Sequence, residues 1–129
     1  MTGYAVKNLL EVEDSAAGRD GIEARFARGQ LESRDLGVSY FRYDPGHRAG
    51  RGHSHREQEE AYVVVDGSGK ARLDGEIVEL RRWDVVRVAP EVVRAFEGGP
   101  DGMTVIAIGG PKPEGGDGVR SDEPWPDEG

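Results

Sequence analysis

The stretch from His53 to Gly69 reads HSHREQEEAYVVVDGSG and joins two histidines to a strand-forming run. Its three consecutive valines are β-branched, and such residues favour a pleated strand over a helix interior. Residues two apart on a strand point to the same face, so His53 and His55 would share a face with their Cα atoms about 6.6 Å apart. Because metal–nitrogen bonds are about 2.1 Å long, two imidazoles at that spacing can bind one ion.

Glu60 supplies a third candidate ligand. It opens the strand that contains the valines, and a turn over residues 56–59 would bring its carboxylate back beside the two histidines. Two histidines and one carboxylate leave coordination positions open for water, dioxygen or a bidentate substrate. We predict that His53, His55 and Glu60 bind a divalent metal ion (Fe, Mn, Zn or Ni), although a His-Ser-His in a Gly- and Arg-rich loop also occurs as ordinary solvated sequence.

The sequence around this stretch predicts an all-β domain. Valine outnumbers leucine 14 to 6, which favours strands. Strand-length apolar runs lie at residues 38–41, 62–65, 85–88, 92–96 and 104–108, and a short two-sided strand with alternating apolar residues is predicted at 22–26. Glycine-rich segments that we predict to be turns lie at residues 66–69, 74–75 and 98–102. Short strands at this regular spacing are typical of a sandwich or a barrel.

The 129 residues fit one domain, and its apolar residues are concentrated in the middle. Of the 27 Leu, Ile, Val and Phe residues, 19 lie between positions 36 and 108. We predict a barrel over residues 36–110, with residues 1–35 contributing N-terminal strands that complete it. Residues 111–129 form an acidic, Pro- and Gly-rich tail whose only residue of these four types is Val119. We expect this tail to be solvated and to contribute little to stability.

Charge and cysteine content exclude several functions. The net charge of −8 argues against nucleic acid as a partner, because phosphate backbones are recognised by basic surfaces. The absence of cysteine excludes disulfides, Cys-ligated zinc, iron–sulfur clusters and thiol nucleophiles. No apolar stretch has the length of a signal peptide or a membrane span, so we expect a soluble, cytoplasmic protein without a membrane partner.

Two signatures resemble those of the cupin superfamily. In the first, two histidines are separated by one residue, and a glutamate and a glycine follow at fixed spacing, as His53, His55, Glu60 and Gly67 do here. The stretch LRRWDVVRVAPEVVRAFEGG at residues 80–99 is similar to the second signature, in which a turn leads through alternating valines to a proline and then a histidine. Arg94 stands in the place of that histidine.

The resemblance implies a small single-domain cupin with a double-stranded β-helix, or jelly-roll, barrel of two antiparallel sheets. It also implies a homodimer. The family's metal site normally has three histidines and a glutamate, so Arg94 replaces one ligand. Arginine stays protonated and has no lone pair for a cation, so it cannot bind the metal.

Two arrangements of Arg94 are consistent with the sequence. In one, His53, His55 and Glu60 still hold a metal, and Arg94 lies at the rim to bind an anionic small-molecule substrate, as in an oxygenase or isomerase. In the other, Arg94 forms a bidentate ion pair with Glu60, and the barrel is a metal-free small-molecule-binding or sensing module. The sequence leaves both open.

Strand alternation adds two candidate ligand-binding residues. Tyr62 shares a face with Glu60, and Phe96 shares one with Arg94, so both are predicted to line the cavity. His47 lies in a loop and is assigned a solvated or dimer-facing role. Trp83 and Trp125 are interpreted as packing residues.

Overall fold

The computed structural model describes residues 3–128, which form an all-β barrel. The strands are β1 (Ile22–Phe26), β2 (Gly37–Tyr43), β3 (His53–His55), β4 (Glu60–Leu73), β5 (Glu76–Arg81), β6 (Val85–Val88), β7 (Arg94–Gly109) and β8 (Gly118–Arg120). Short 3-10 helices span Leu9–Glu11 and Pro126–Glu128. Within residues 3–128 there is no helix whose length and apolar character would let it cross a membrane.

The barrel is built around β4 and β7, two long antiparallel strands of 14 and 16 residues. Near Glu60, β4 pairs with β6 and with the end of β7, which also pairs with β2 and through it with β1. Near Leu73, β4 pairs with β5 and with the start of β7. The two strands therefore run through both sheets of the barrel, and the predicted jelly-roll architecture is confirmed.

Two of the predicted turns are bends inside these strands instead. Residues 66–69 lie within β4 and residues 98–102 within β7, and the pairing register between the strands shifts at this point. Gly67 has a φ of 71°, and a Cβ on it would lie 2.1 Å from the carbonyl oxygen of Gly102. Glycine is needed here because the backbones approach closely, and it produces bulges rather than a chain reversal. The predicted turn at residues 74–75 is confirmed as the β4–β5 hairpin.

The core lies between the sheets, on the inner faces of the strands. Strand alternation turns Tyr62, Val64 and Phe96 inwards, where each is buried. The buried apolar cluster consists of Tyr43, Tyr62, Val64, Ala71, Leu80, Val88, Phe96, Met103, Val105 and Ala107. At the end of the barrel near Glu60 the space between the sheets is a cavity and not packed core.

The C-terminal segment is not the solvated tail that its composition suggested. Its β8 pairs with β3, and Trp125 is only 2% exposed. Two guanidinium groups lie over the Trp125 ring, with Arg48 Cζ 4.7 Å and Arg72 Cζ 4.9 Å from its centroid, and its Nε1 donates to the Gly50 carbonyl at 3.2 Å. One aromatic ring with two cation–π contacts anchors a segment that has almost no aliphatic residues.

Trp83 differs from its predicted packing role, because it is 64% exposed. It lies between β5 and β6 with a φ of 75°, and its backbone N–H donates to the Val64 carbonyl. This left-handed conformation turns the indole outwards, where the Arg82 guanidinium stacks on it at 5.1 Å.

The two tryptophans allow a matched test of how the C-terminal segment docks. We expect Trp125→Ala to lower the free energy of unfolding by about 3 kcal/mol, in the range for truncation of a buried aromatic residue. Trp83→Ala, the same substitution at an exposed position, should change it by less than about 0.5 kcal/mol. Urea denaturation of the three proteins measures both values, and equal effects would show that Trp125 is not docked.

Candidate metal centre

A cavity of about 470 Å³ opens between the sheets at the end of the barrel where β4 begins. His53, His55 and Glu60 all line it. Further lining residues are Ile22, Phe26, Arg28, Ser39, Phe41, Tyr43, Ala49, Gln58, Tyr62, Arg94, Ala95, Phe96, Ala107, Lys112 and Asp117. The three residues predicted as ligands therefore share one concave site with the aromatic residues.

The strands bring the three predicted ligands together. His53 and His55 are the first and last residues of β3, and Glu60 is the first residue of β4. Their ligand atoms all lie within 4.8 Å of one another. His55 Nε2 is 3.3 Å and His53 Nε2 is 3.9 Å from Glu60 Oε1. Ligands of one ion with bonds of about 2.1 Å lie up to about 4.2 Å apart, so small side-chain rotations suffice for a shared metal.

The His55 ring is oriented by Asp117, a residue that the sequence analysis did not single out. Asp117 Oδ1 lies 2.8 Å from His55 Nδ1, and the Asp117 side chain is 1% exposed. If Nδ1 carries the proton and donates to the carboxylate, Nε2 presents its lone pair to the cavity. His55 Nε2 is buried and has no hydrogen-bond partner among the described residues.

Asp117 also holds the backbone of the loop between β3 and β4, which connects the histidines to Glu60. Its Oδ2 accepts hydrogen bonds from the backbone N–H groups of Glu57 at 2.9 Å and Gln58 at 2.8 Å. Burial raises the pKa of Asp117, but these donors and the His55 ring outweigh burial and lower the pKa to about 2. Six acidic residues lie in the C-terminal segment, and no local pattern distinguishes Asp117 from the other five.

The Glu60 carboxylate is surrounded by both histidines, the Tyr62 hydroxyl and the Arg94 guanidinium. Burial alone would raise its pKa, but His53, the Tyr62 hydroxyl and the charges nearby hold the pKa below its ordinary value. The Tyr62 hydroxyl donates to Glu60 Oε1. Burial and then the Glu60 charge raise the pKa of Tyr62 well above its ordinary value, so the phenol stays protonated as a donor.

Arg94 occupies the cavity wall and not its rim, because its side chain has no exposed surface. Its Cα is the cross-strand partner of His53, which puts the two side chains on one face. Arg94 Nε lies 4.0 Å from Glu60 Oε1, whereas Nη2 donates to the Ala89 carbonyl at 3.1 Å and Nη1 to that of Pro90 at 3.4 Å. The bidentate Arg94–Glu60 pair considered from the sequence is therefore not formed, because backbone carbonyls occupy the two terminal nitrogens.

Aromatic rings cover one wall of the cavity. The rings of Tyr62 and Phe96 have centroids 4.7 Å apart, and Tyr43 stacks on Phe96 at 6.1 Å. Two cationic residues that the sequence analysis did not single out, Arg28 and Lys112, also line the cavity. His47 is not among the lining residues.

The sequence profile of the cupin domain matches residues 39–108, more than half of the chain. The chain belongs to the cupin family. Arg94 stands where the second signature has a histidine, and His53, His55 and Glu60 form a group that could hold a metal ion.

Several solved structures resemble this one along most of the chain. A variant of Streptomyces PAC13 with uridine has a TM-score of 0.74 and 23% identity, covering 94% of this chain and 92% of that one. A cupin from Bacteroides fragilis has a TM-score of 0.71 and 22% identity, with 93% of each chain covered. An oxalate decarboxylase variant from Bacillus subtilis has a TM-score of 0.69 and 16% identity, with 83% of this chain and 30% of that chain covered.

These likenesses show the fold, since identities of this size do not carry a function from one cupin to another. No curated protein matches the sequence of this cupin significantly. Its function has to be argued from its own site residues.

The Tyr62 hydrogen bond can be tested by Tyr62→Phe. A hydrogen bond to a charged group contributes about 1.5–3 kcal/mol, so we expect the free energy of unfolding at pH 7 to fall by about 2 kcal/mol. Tyr40 lies on the outer face of β2, away from the cavity. Tyr40→Phe also removes a hydroxyl, but it should change the free energy of unfolding by less than about 0.5 kcal/mol. If chemical denaturation gives the same value for both variants, Tyr62 does not donate to Glu60.

Proposed function

We propose that this cupin binds one divalent metal ion through His53, His55 and Glu60 and binds a small anionic molecule beside it. The main support for the proposal is the short distance between His55 Nε2 and Glu60 Oε1. A buried imidazole nitrogen without a hydrogen bond faces an oxygen of the partly buried Glu60 carboxylate 3.3 Å away.

With the ring proton on Nδ1, the Nε2 lone pair and the Glu60 oxygen repel each other unless a second proton or a metal cation lies between them. A divalent metal fits that requirement, because imidazole nitrogen and carboxylate oxygen are ligands that Fe, Mn, Zn and Ni all accept. Three protein ligands leave coordination positions open. The bound metal would act as a Lewis acid that polarises an oxygen atom of the small molecule.

The charges around the site favour an anionic ligand. Glu60 and Asp117 together balance one divalent ion, and Arg94 then adds an uncompensated positive charge in a buried position. Arg28 and Lys112 add further positive charge to the cavity wall. A carboxylate or enolate would restore neutrality, and electrostatic attraction is strong where water is excluded.

The aromatic wall limits both the size and the shape of the ligand. Tyr62 and Phe96 provide flat apolar surface opposite the polar residues, and this excludes water from one side of the ligand. The cavity of about 470 Å³ has room for a molecule of the size of a sugar acid. Isomerisation or oxygenation of an anion that binds through two oxygen atoms is the reaction class that this arrangement supports.

A second candidate function rests on Arg94. Its Nε already faces the Glu60 carboxylate at 4.0 Å, so a positive charge is present without a metal. In that case the cavity binds a small molecule without metal, as a binding or sensing module.

Metal titration of Arg94→His separates the two functions. We expect wild-type protein to bind Zn(II) or Mn(II) at one site and the variant to bind at least about tenfold more tightly, because an imidazole opposite His53 adds a ligand. The substitution also removes the positive charge of the guanidinium. At about 4 Å the repulsion by that charge weakens the binding free energy of a divalent ion by on the order of several kcal/mol before screening.

Isothermal calorimetry measures both affinities, with His53→Ala as the control that should abolish binding. Absence of binding by the wild-type protein would favour the metal-free function. Equal or weaker binding by Arg94→His would contradict the assignment of residue 94 to the metal-facing wall.

We also propose that two copies associate through the outer face of the β2–β7 pair. Val38, Tyr40, Ile106 and Ile108 are neighbours across these strands, with Ile108 42% exposed. A two-fold dimer buries one such apolar patch against itself.

Light scattering at micromolar concentration tests this association. We expect twice the mass of one chain for the wild-type protein and the monomer mass for Ile108→Lys, because lysine puts a charge into the buried patch. Ile77→Lys is the matched control, since Ile77 is 39% exposed on β5, and it should remain dimeric. A monomeric wild-type protein would refute the dimer.

A further inference from the structure

We propose that Asp117, delivered by the C-terminal segment, is a positioning residue that holds His55 in the tautomer able to bind metal. This inference rests on the proposed metal site, and it assigns to the end of the chain a part in a site otherwise formed by the barrel strands. Asp117 is 57 residues beyond Glu60 in the sequence, and its side chain is almost completely buried beside His55.

The contacts of Asp117 leave it one orientation. Oδ2 accepts the backbone N–H groups of Glu57 and Gln58, and Oδ1 lies 2.8 Å from His55 Nδ1. A carboxylate has only acceptor atoms, and of the two carboxylates beside the ring only Asp117 lies in hydrogen-bond geometry, so the single proton of the neutral imidazole belongs on Nδ1. Nε2 then faces Glu60 with a free lone pair. In the opposite tautomer an N–H would occupy the metal position.

The rest of the C-terminal segment holds Asp117 in place. Directly after it, β8 pairs with β3, with Gly118 opposite His55. Further along, Trp125 is buried against two guanidinium groups, and Arg48 donates from both Nη atoms to the Asp127 carboxylate at 2.7 Å. The segment is thus fixed on both sides of its strand, and the carboxylate cannot move without breaking several contacts.

A carboxylate behind a metal-binding histidine raises the basicity of the ring and fixes its direction, and its loss typically costs about tenfold to hundredfold in metal affinity. We therefore expect Asp117→Ala to weaken Zn(II) binding by about tenfold to hundredfold. Asp117→Asn retains one acceptor oxygen and should lose less. Glu114→Ala removes the same charge from an exposed position of the same segment and should bind as the wild-type protein does.

The second readout requires no metal. Nitrogen-15 NMR of the histidine rings in metal-free protein at pH 8 distinguishes the two tautomers, and we expect His55 to be protonated on Nδ1 in the wild-type protein and in Glu114→Ala. In Asp117→Ala we expect the Nε2-protonated form to become populated. If that variant does not fold, as circular dichroism would reveal, Asp117→Asn provides the comparison.

The two readouts separate the inference from the proposed function. A wild-type protein that binds no Zn(II) but has His55 protonated on Nδ1 only when Asp117 is present would refute the metal site and retain the positioning role. A folded Asp117→Ala variant with wild-type affinity for Zn(II) and an unchanged His55 tautomer would overturn the inference.

Discussion

The partly buried carboxylate of Glu60 imposes the main constraint on this barrel. Glu60 opens β4 at the end of the barrel where the cavity lies, and a charge withdrawn from water is costly unless opposite charges or hydrogen-bond donors compensate it. Three strands supply partners for it: β3 supplies the two histidines, β4 itself the Tyr62 hydroxyl, and β7 the Arg94 guanidinium. The site is therefore an electrostatic arrangement that only the complete barrel can form.

The bends in β4 and β7 create the space for this arrangement. Because both strands pass from one sheet into the other, their first and last residues face the same interior. Arg94 begins β7 and Glu60 begins β4, yet the antiparallel barrel brings the two side chains within 4.0 Å. The C-terminal segment then covers the side where β3 is short and pairs with β7 at only one position among the described residues. The site therefore depends on the docked position of the C-terminal segment.

The sequence predicted what depends on local spacing. Alternation along a strand and a five-residue step were enough to bring His53, His55 and Glu60 together. Alternation could not reveal that Asp117 lies behind His55, since that contact depends on how a distant segment docks. The composition of that segment was also misleading, because one tryptophan in contact with two arginines replaces the aliphatic residues that normally mark a packed strand. At residues 66–69, glycine allows both a turn and a bulge, and only the partner strand decides between them.

The proposed site places one metal ion between His55 and Glu60. Elemental analysis of wild-type protein, purified without chelators and without a nickel column, tests it most directly, with Glu60→Gln prepared in parallel. We expect about one divalent metal ion per chain in the wild-type protein and a large loss in the variant. A folded wild-type protein without stoichiometric metal, or equal metal content in the two proteins, would contradict it.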